Sequence, residues 1–470
     1  CRIKVNPVPD FSVILQSPQV RAVVQENLLE KAFHDALFPR TLFRSEVTPT
    51  PWPAGVGDTQ IFSAPGLMPV DARPLTPGDD PEPETYPTEQ WTSQLQQYAK
   101  SIDTHMPTSM VAIANLFLRN AHQLGMQAAQ TLNRIVRNRA YGAALSGWSV
   151  ITSAVAASAT VRVARLNGFT RARNPLLVNG SQVRFDYVSS TNPLAVRIFD
   201  NAVETSFNVI GFTPDVAGDE VRPGTLTLSA PVTNVAARGY IYAVDATGII
   251  RSGGGMSVDA LTANTDIPTL ADVRAAVADF WQQNVPEHPD SRFHAHMDPV
   301  SQAKIFADAE FQRLLTSMPD YYMYKQFALG ELLNTVFLRN SECPVTETVV
   351  GGNTYDARDP FPGELVTGAG AKVHRILFSA QGGIMEYYSD LSQLLTDAGV
   401  NGKVGEPRIV NNGIECYTDR IQLIIRAPQN RLQDKVSTSW KFIGDWPTRT
   451  DAATGSAARY KRFKVIEHTE

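Results

Sequence analysis

Four residues have the types and spacing that a metal site would need: His294 and His296, two apart and so on one face of a strand, with His288 before them and Asp298 after. A closed site takes four ligands and hydrogen-bonded support behind them, and neither Cys-x-x-Cys nor His-Glu-x-x-His accompanies this set. Gly363 to Lys372, GELVTGAGAK, has the glycines of a phosphate loop, but its lysine is displaced and no Ser or Thr follows, so it reads as a turn. There is no Gly-x-Ser-x-Gly elbow, and Gly382-Gly383 lacks the spacing of a dinucleotide fingerprint. Asp79, Asp80, Glu82 and Glu84 are close carboxylates, but they sit among prolines on an exposed loop, a poor setting for tuning an acid–base pair. The residues therefore form no catalytic set and call for no cofactor. A metal-dependent enzyme built on the histidines is the alternative that chemistry alone leaves.

Composition narrows the field further. The chain has 470 residues, enough for two or three domains, and its 43% hydrophobic and 19% charged content is that of a folded protein. A formal charge of -5 gives no general pull toward nucleic acid or an anionic membrane. Cys1, Cys343 and Cys416 are an odd number at unrelated spacings, which argues against a disulfide framework. No run approaches the roughly 18 apolar residues of a membrane span.

The elements that would position any site follow from periodicity. Residues 1–42 form an arm with an amphipathic helix from Pro18 to Phe38, marked by Val20, Val24, Leu28, Ala32 and Leu37 and capped by Ser17. Residues 43–98 contain ten prolines, which exclude helix. Thr59 to Phe62 and Trp91 to Tyr98 suit strands, so this stretch reads as a two-stranded excursion with the acidic tip PGDDPEPE. Thr108 to Leu145 predicts one very long helix, with Ala114, Phe117, Ala121, Leu124, Ala128, Leu132 and Ile135 on one stripe. At 1.5 Å per residue it would run roughly 55 Å.

From Ser158 to Ile250, six alternating runs (VRVARL, QVRFDYV, LAVRIF, SFNVIGF, TLTLSA and YIYAV) predict a small β-barrel or sandwich. The Ser/Ala stretch before it and Ser252-Gly253-Gly254-Gly255 after it read as hinges. Beyond lie helices over Thr269 to Asn284 and from Pro299, behind the N-cap Asp298, to about Leu315. Strands are expected at Arg292 to Met297, Val373 to Ser379 and Ile421 to Arg426, and at STSWKFIG and YKRFKVIE near the end of the chain.

This order of parts resembles the major capsid proteins of tailed bacteriophages, the Hong Kong 97 fold. The likeness is carried by GDTQIF at Gly57, the block PLTPGDDPEPETYPTEQWTSQLQQYAKSIDTHMPTS, GMQAAQTLNRIVRNRA at Gly125, DPVSQAKIFADAEFQRLL at Asp298, GELLNTVFLRN at Gly330 and VSTSWKFIG at Val436. It implies an α+β chain with an N-terminal arm (1–42), an extended loop (43–98), and a spine helix with its linker in a peripheral domain (99–157). An inserted β domain (158–256), a further peripheral segment (257–320), an axial domain (321–412) and C-terminal strands returning to the peripheral domain (413–470) complete it. The implied function is self-assembly as hexamers and pentamers into an icosahedral shell around double-stranded DNA, in the virion, after assembly in the host cytoplasm. Packaged DNA would be contacted non-specifically. Scaffolding, portal and decoration proteins are the further partners the family admits, and no membrane is. An encapsulin-like cellular compartment of the same fold is the other shell reading. Some members crosslink through a loop lysine; residues 43–98 contain no Lys, so non-covalent assembly is expected.

Charge suggests how neighbours would meet. The loop carries Glu46, Asp58, Asp71, Asp79, Asp80, Glu82, Glu84 and Glu89 against Arg44 and Arg73. Between Thr104 and Phe185 there is no Asp or Glu but nine arginines, among them Arg119, Arg134, Arg137 and Arg139 on the long helix. Arg favours forked pairing with carboxylate or phosphate. The expectation is that Asp79, Asp80, Glu82, Glu84 and Glu89 of one subunit meet Arg119, Arg134, Arg137 and Arg139 of the next.

Overall fold

Strands and helices fall, in the computed structural model, close to where hydrophobic periodicity places them. The structure describes residues 42–53, 57–65, 74, 78, 80, 88–105, 116–174, 184–200, 203–217, 223–233, 235, 239–244, 246, 248–255, 261–262, 264–316, 330–346, 372–389, 408–410, 413–418, 420–426, 435–448 and 462–470. The expected arm helix at Pro18 to Phe38 and the turn at Gly363 to Ala371 lie outside them. In chain order the elements are β1 (Thr48–Pro51), β2 (Thr59–Pro65), β3 (Thr88–Gln94), β4 (Gln96–His105), α1 (Leu116–Ala144), β5 (Trp148–Val150), β6 (Ser158–Val163), β7 (Arg171–Asn174), β8 (Arg184–Tyr187), β9 (Leu194–Asp200), β10 (Val203–Pro214), β11 (Gly224–Val232), β12 (Tyr240–Ala243) and β13 (Ile249–Arg251). They continue with α2 (Leu270–Gln282), β14 (Phe293–Met297), α3 (Pro299–Ala307), α4 (Ala309–Thr316), β15 (Glu331–Leu332), β16 (Thr335–Arg339), β17 (Val345–Thr346), β18 (Val373–Ser379), β19 (Met385–Tyr388), β20 (Arg408–Val410), β21 (Gly413–Thr418), β22 (Ile421–Arg426), β23 (Lys435–Asp445) and β24 (Phe463–Thr469). The fold is mixed α and β with strands dominating.

Two compact units result, Cys1–Gln60, Ser93–Val136 and Met385–Trp446 forming one, and Ile61–Thr92, Arg137–Ile384 and Pro447–Glu470 the other. The first is built on a seven-stranded sheet, β1-β19-β23-β22-β21-β20, with β4 also on β23. β4 and β23 run antiparallel from Gln96 opposite Gly444 to His105 opposite Lys435. Alternation turns Val436, Thr438, Trp440 and Phe442 of β23 inward. Ala121, Leu124, Gly125, Ala128, Ala129, Leu132 and Val136 make the buried stripe of α1 in this unit. The small residues let the helix lie close to the sheet, where Trp440 Nε1 donates to Gln127 Oε1 at 2.7 Å and Asn120 Nδ2 to Thr104 Oγ1 at 2.8 Å. At 3.6 residues per turn the stripe drifts, so Ile135, expected inside, is half-buried and Val136 takes its place. The 29 residues described as helix span roughly 43 Å; the expected first turns, from Thr108 to Asn115, lie outside the described residues.

In the second unit β5, β12, β9, β10, β11 and β6 form a six-stranded antiparallel sheet. An Ile151–Val163 bridge, with Ala164 N donating to Val150 O at 2.9 Å and Thr152 N to Arg162 O at 3.0 Å, joins the two end strands and closes the sheet into a barrel. Its interior is filled by Val161, Val163, Leu166, Phe169, Val196, Ile198, Val209, Leu226 and Ile241 among others. All six expected runs are strands, but QVRFDYV forms β8, which pairs with β7 in a separate two-stranded sheet, and β5 takes the sixth place in the barrel. The barrel thus begins before the expected limit at Ser158 and ends at β12. The expected glycine hinge is a fixed turn instead. Gly253 has φ 80° and a Cβ there would meet Asp266 Oδ1 at 2.0 Å, while buried Ser252 donates to Asp272 Oδ2 at 3.0 Å.

The unit's other sheet runs β13-β24-β18-β14-β16-β15, with β17 on β18. Val273, Val277 and Phe280 of α2 and Ile305 and Phe306 of α3 pack with Phe293, Ile376, Phe378 and Ile466 of its strands. Thr269 and Asp272 form a capping box at α2, and Asp298 caps α3 with Pro299 at its first position, as the sequence predicts. The single helix expected to Leu315 is broken: Asp308 adopts extended backbone and its carboxylate accepts from Leu270 N at 2.9 Å and Glu310 N at 3.3 Å. The expected boundaries at 320/321 and 412/413 do not follow the sheets, because β14, β18 and β24 are neighbours in one. Pairing between strands so far apart in the chain has no local signal. No described helix is long and apolar enough to cross a membrane.

Candidate functional site

The excursion between Leu42 and Gln96 is fixed at its root in the first unit. Asn133 Oδ1, on α1, accepts from Phe43 N at 2.9 Å and Arg44 N at 3.3 Å. The buried Arg44 guanidinium then forks onto Glu386, Nε to Oε2 at 3.0 Å and Nη2 to Oε1 at 2.9 Å. Arg420 Nη1 reaches the same Oε1 at 2.9 Å and Trp446 Nε1 donates to Oε2 at 3.1 Å. Burial would push the Glu386 carboxyl up, but Arg44 first and then Arg420 and Trp446 hold it below the ordinary glutamate range. β1 lies parallel to β19, and its prolines Pro49 and Pro51 blunt it as a template for another strand. The returning arm is pinned by Ser93 Oγ and Gln94 N, which donate to Asp445 Oδ2 at 2.9 and 3.2 Å, and by Leu95 N donating to Asp58 O at 2.8 Å.

Beyond this root, β2 and β3 pair only with each other among the described residues. Phe62 stacks on Trp91 at 6.0 Å, and Ile61 is 65% exposed. Of the acidic residues expected at an interface, Asp80 is exposed, Glu89 lies on β3 with its backbone alone described, and Asp79, Glu82 and Glu84 lie outside the described residues.

On α1, Arg119 is exposed and Arg134 and Arg139 are half-buried. Arg137 corrects the expectation. It shares the buried face with Asn133, Ala140, Tyr141 and Ala144, and its guanidinium turns into its own unit, donating to Glu342 O at 2.9 Å and to Asn138 Oδ1 at 3.1 and 3.0 Å. Arg165, also counted in the arginine-rich segment, is buried as well. Helical position, rather than charge, was the signal that separates Arg137 from Arg134. The root residues Asn133, Arg44, Glu386 and Trp446 were missed because their partners are up to 342 positions apart.

Of the residues with metal-binding types, His288 and His294 come together, their rings stacked at 4.1 Å, while His296 and Asp298 turn to other partners. His294 Nε2 faces Asp290 Oδ2 at 3.0 Å, His288 Nε2 faces Ser379 Oγ at 3.3 Å, and His296 Nδ1 lies 3.5 Å from Asn340 Nδ2. Asp298 caps α3 and meets His374 Nδ1 at 2.8 Å, so of the expected His288/His294/His296/Asp298 set only His288 and His294 are brought together. Burial first, opposed by His374 and Ser301, leaves the Asp298 carboxyl lowered to about 2. Ser301 Oγ approaches His468 Nε2 at 2.7 Å, which imitates a nucleophile–base pair, but both residues have 0% exposure and His468 Nδ1 bonds the Thr469 carbonyl rather than a carboxylate. The buried Cys343 thiol is pushed up to about 12, chiefly by burial, and is no nucleophile.

No family model matches the chain, and none of the curated proteins matches it. Among solved structures it is similar to the capsid of Ralstonia phage GP4, at 14% identity over 92% of each chain with a TM-score of 0.47. It is also similar to the capsid of cyanophage Pam1, at 11% identity over 88% of this chain and 85% of that one with a TM-score of 0.44. The capsid of cyanophage P-SCSP1u is a third, at 8% identity over 91% and 88% with a TM-score of 0.43.

Proposed function

We propose that the chain is a major capsid protein of the Hong Kong 97 type, assembling as hexamers and pentamers into an icosahedral shell that encloses double-stranded DNA. The observation that carries this reading is the excursion. A two-stranded ribbon is marginal by itself in water, yet this one is rooted through buried Arg44, Asn133, Glu386 and Asp445. Rooting of that kind suits a segment that must be presented to another molecule, and the ordered sequence blocks around it resemble a family whose loop lies over the neighbouring subunit. In this reading α1 is the spine of the peripheral domain, the barrel is an insertion, and Asp79, Asp80, Glu82, Glu84 and Glu89 seek Arg119, Arg134 and Arg139 of an adjacent copy. Scaffolding, portal and decoration proteins would be its other partners, with assembly in the host cytoplasm and the virion as destination.

Negative-stain microscopy of the expressed full chain tests it: closed particles of uniform diameter are expected, and a monomeric or small-oligomer species at micromolar concentration would sink it. Because residues 43–98 lack Lys, boiled shells should run as a single 51.5 kDa band on SDS gels, and a ladder above it would refute non-covalent assembly.

A further inference from the structure

One face of the first unit's sheet lies under α1, and the other is open. Trp440 and Thr104, bonded to Gln127 and Asn120 of the helix, mark the covered side, so by alternation Lys435, Ser437, Ser439 and Lys441 of β23 point the opposite way. β4 and β22 flank them in register: Asp103 and Arg426 stand on either side of Ser437, and Ser101 and Ile424 on either side of Ser439. Lys435, Arg426 and Asp103 are exposed and Lys441 is half-buried. Among the described residues, the side chains of Lys441 and Arg426 have neither an ion pair nor a hydrogen bond within their own chain. Asp103, on the β4 side, is the one carboxylate among the outward residues of these three strands, so the strip over β22 and β23 is cationic.

A cationic strip with small hydroxyl side chains along its middle fits an acidic segment lying flat, because the hydroxyls donate to carboxylates and leave room for a backbone to come close. The chain has such a segment. Asp79, Asp80, Glu82 and Glu84 fall within six residues, and no Lys or Arg occurs between Pro74 and Ala99. Pro77, Pro81 and Pro83 exclude helix there. Six extended residues span roughly 20 Å, which matches the roughly 20 Å along β23 from Lys435 to Lys441. On α1, Arg119 is exposed but Arg134 and Arg139 are half-buried, so the helix alone offers these four carboxylates few accessible cations. We propose that the open face over β22 and β23, centred on Lys441 and Arg426, is where the Asp79–Glu84 segment of a second copy of this chain docks. The inference rests on the reading of the excursion as a segment presented to an adjacent copy, and adds the sheet to the α1 arginines as its landing surface.

Charge exchange in the full chain tests it, read as particle yield in sedimentation with the denaturation midpoint as the check on folding. Lys441→Glu with Arg426→Glu should lower the yield roughly tenfold, since like charges set against each other in an interface are strongly unfavourable. Combined with Asp79→Lys, Asp80→Lys, Glu82→Lys and Glu84→Lys, the same pair should recover most of it. Lys441→Gln with Arg426→Gln should give a smaller loss, and serves if the reversed pair does not fold. Unchanged yield in the sheet variants, or a loss that the exchanged charges do not recover, overturns the proposal and leaves the shell reading intact. Unchanged yield with less nucleic acid in the particles also overturns it, and assigns the face to phosphate. A wild-type chain that forms no particles removes both readings.

Discussion

Glu467 and Glu386 each face more guanidinium than one carboxylate balances. Glu467 accepts from Arg251 Nε at 2.9 Å and Arg375 Nε at 3.0 Å, and Arg251 is further held by Tyr240 OH at 2.7 Å and the faces of Trp148 and Tyr240. Burial would raise the Glu467 carboxyl, but Arg251 and Arg375 lower it. Removing one partner of a buried ionic group leaves the others uncompensated. Glu467→Gln and Glu386→Gln should therefore each cost about 3 kcal/mol, read as a lowered urea midpoint. Since both folded-state carboxyls lie below their unfolded values, their stabilisation is complete above the ordinary glutamate range and is lost as pH falls through the folded values. Acid unfolding should consequently start at higher pH in chains where Arg44 or Arg251 is replaced by Gln. Arginine's bias toward forked carboxylate pairing was legible in the sequence. Its partner was not, because Arg137 turns its guanidinium inside its own unit, to the Glu342 carbonyl and Asn138 Oδ1, where a neighbour's carboxylate was expected.

At the scale of elements, the end of α1 shows what local pattern cannot reveal. Gly147 has φ 80°, its amide donates to Asn167 O at 2.9 Å, and Asn167 Nδ2 donates to Gly142 O at 2.6 Å. Gly168, at φ 84°, is so close that a Cβ would sit 2.2 Å from Gly147 N. Gly168→Ala combines a disfavoured backbone with a backbone clash, and a loss of roughly 2 kcal/mol or more is expected, measured as a shift in the denaturation midpoint. Helix α1, α2 and the six expected strand runs were readable because 3.6-residue and two-residue periods are properties of a few adjacent residues. Asp308 was not, because its carboxylate stops α3 by serving the distant Leu270 amide as well as Glu310. Nor was the Gly253 turn, where the run of glycines suggests freedom in composition but the approach of Asp266 requires glycine at 253.

For the whole molecule, the acidic excursion and the arginines of α1 make a prediction about association rather than folding. Changing Asp79, Asp80, Glu82 and Glu84 to Lys should leave the denaturation midpoint nearly unchanged, since exposed pairs contribute about 0 to 1 kcal/mol. Particle yield in sedimentation should fall, and should fall for the unaltered chain too as salt is raised; equal yields would remove the charge argument. The barrel carries a different consequence. The chain departs from α1 at Ala144, and at Gly248 it is back so near that a Cβ there would lie 2.5 Å from Ala144 O. A module whose two ends meet at one point can be exchanged for another without stretching its host. The host would keep an exposed scar, Leu261 and Val373, now covered by Trp148, Tyr240 and Tyr242. A guest protein spliced between Gly147 and Gly248 would therefore need an apolar sole of its own to stand on that spot.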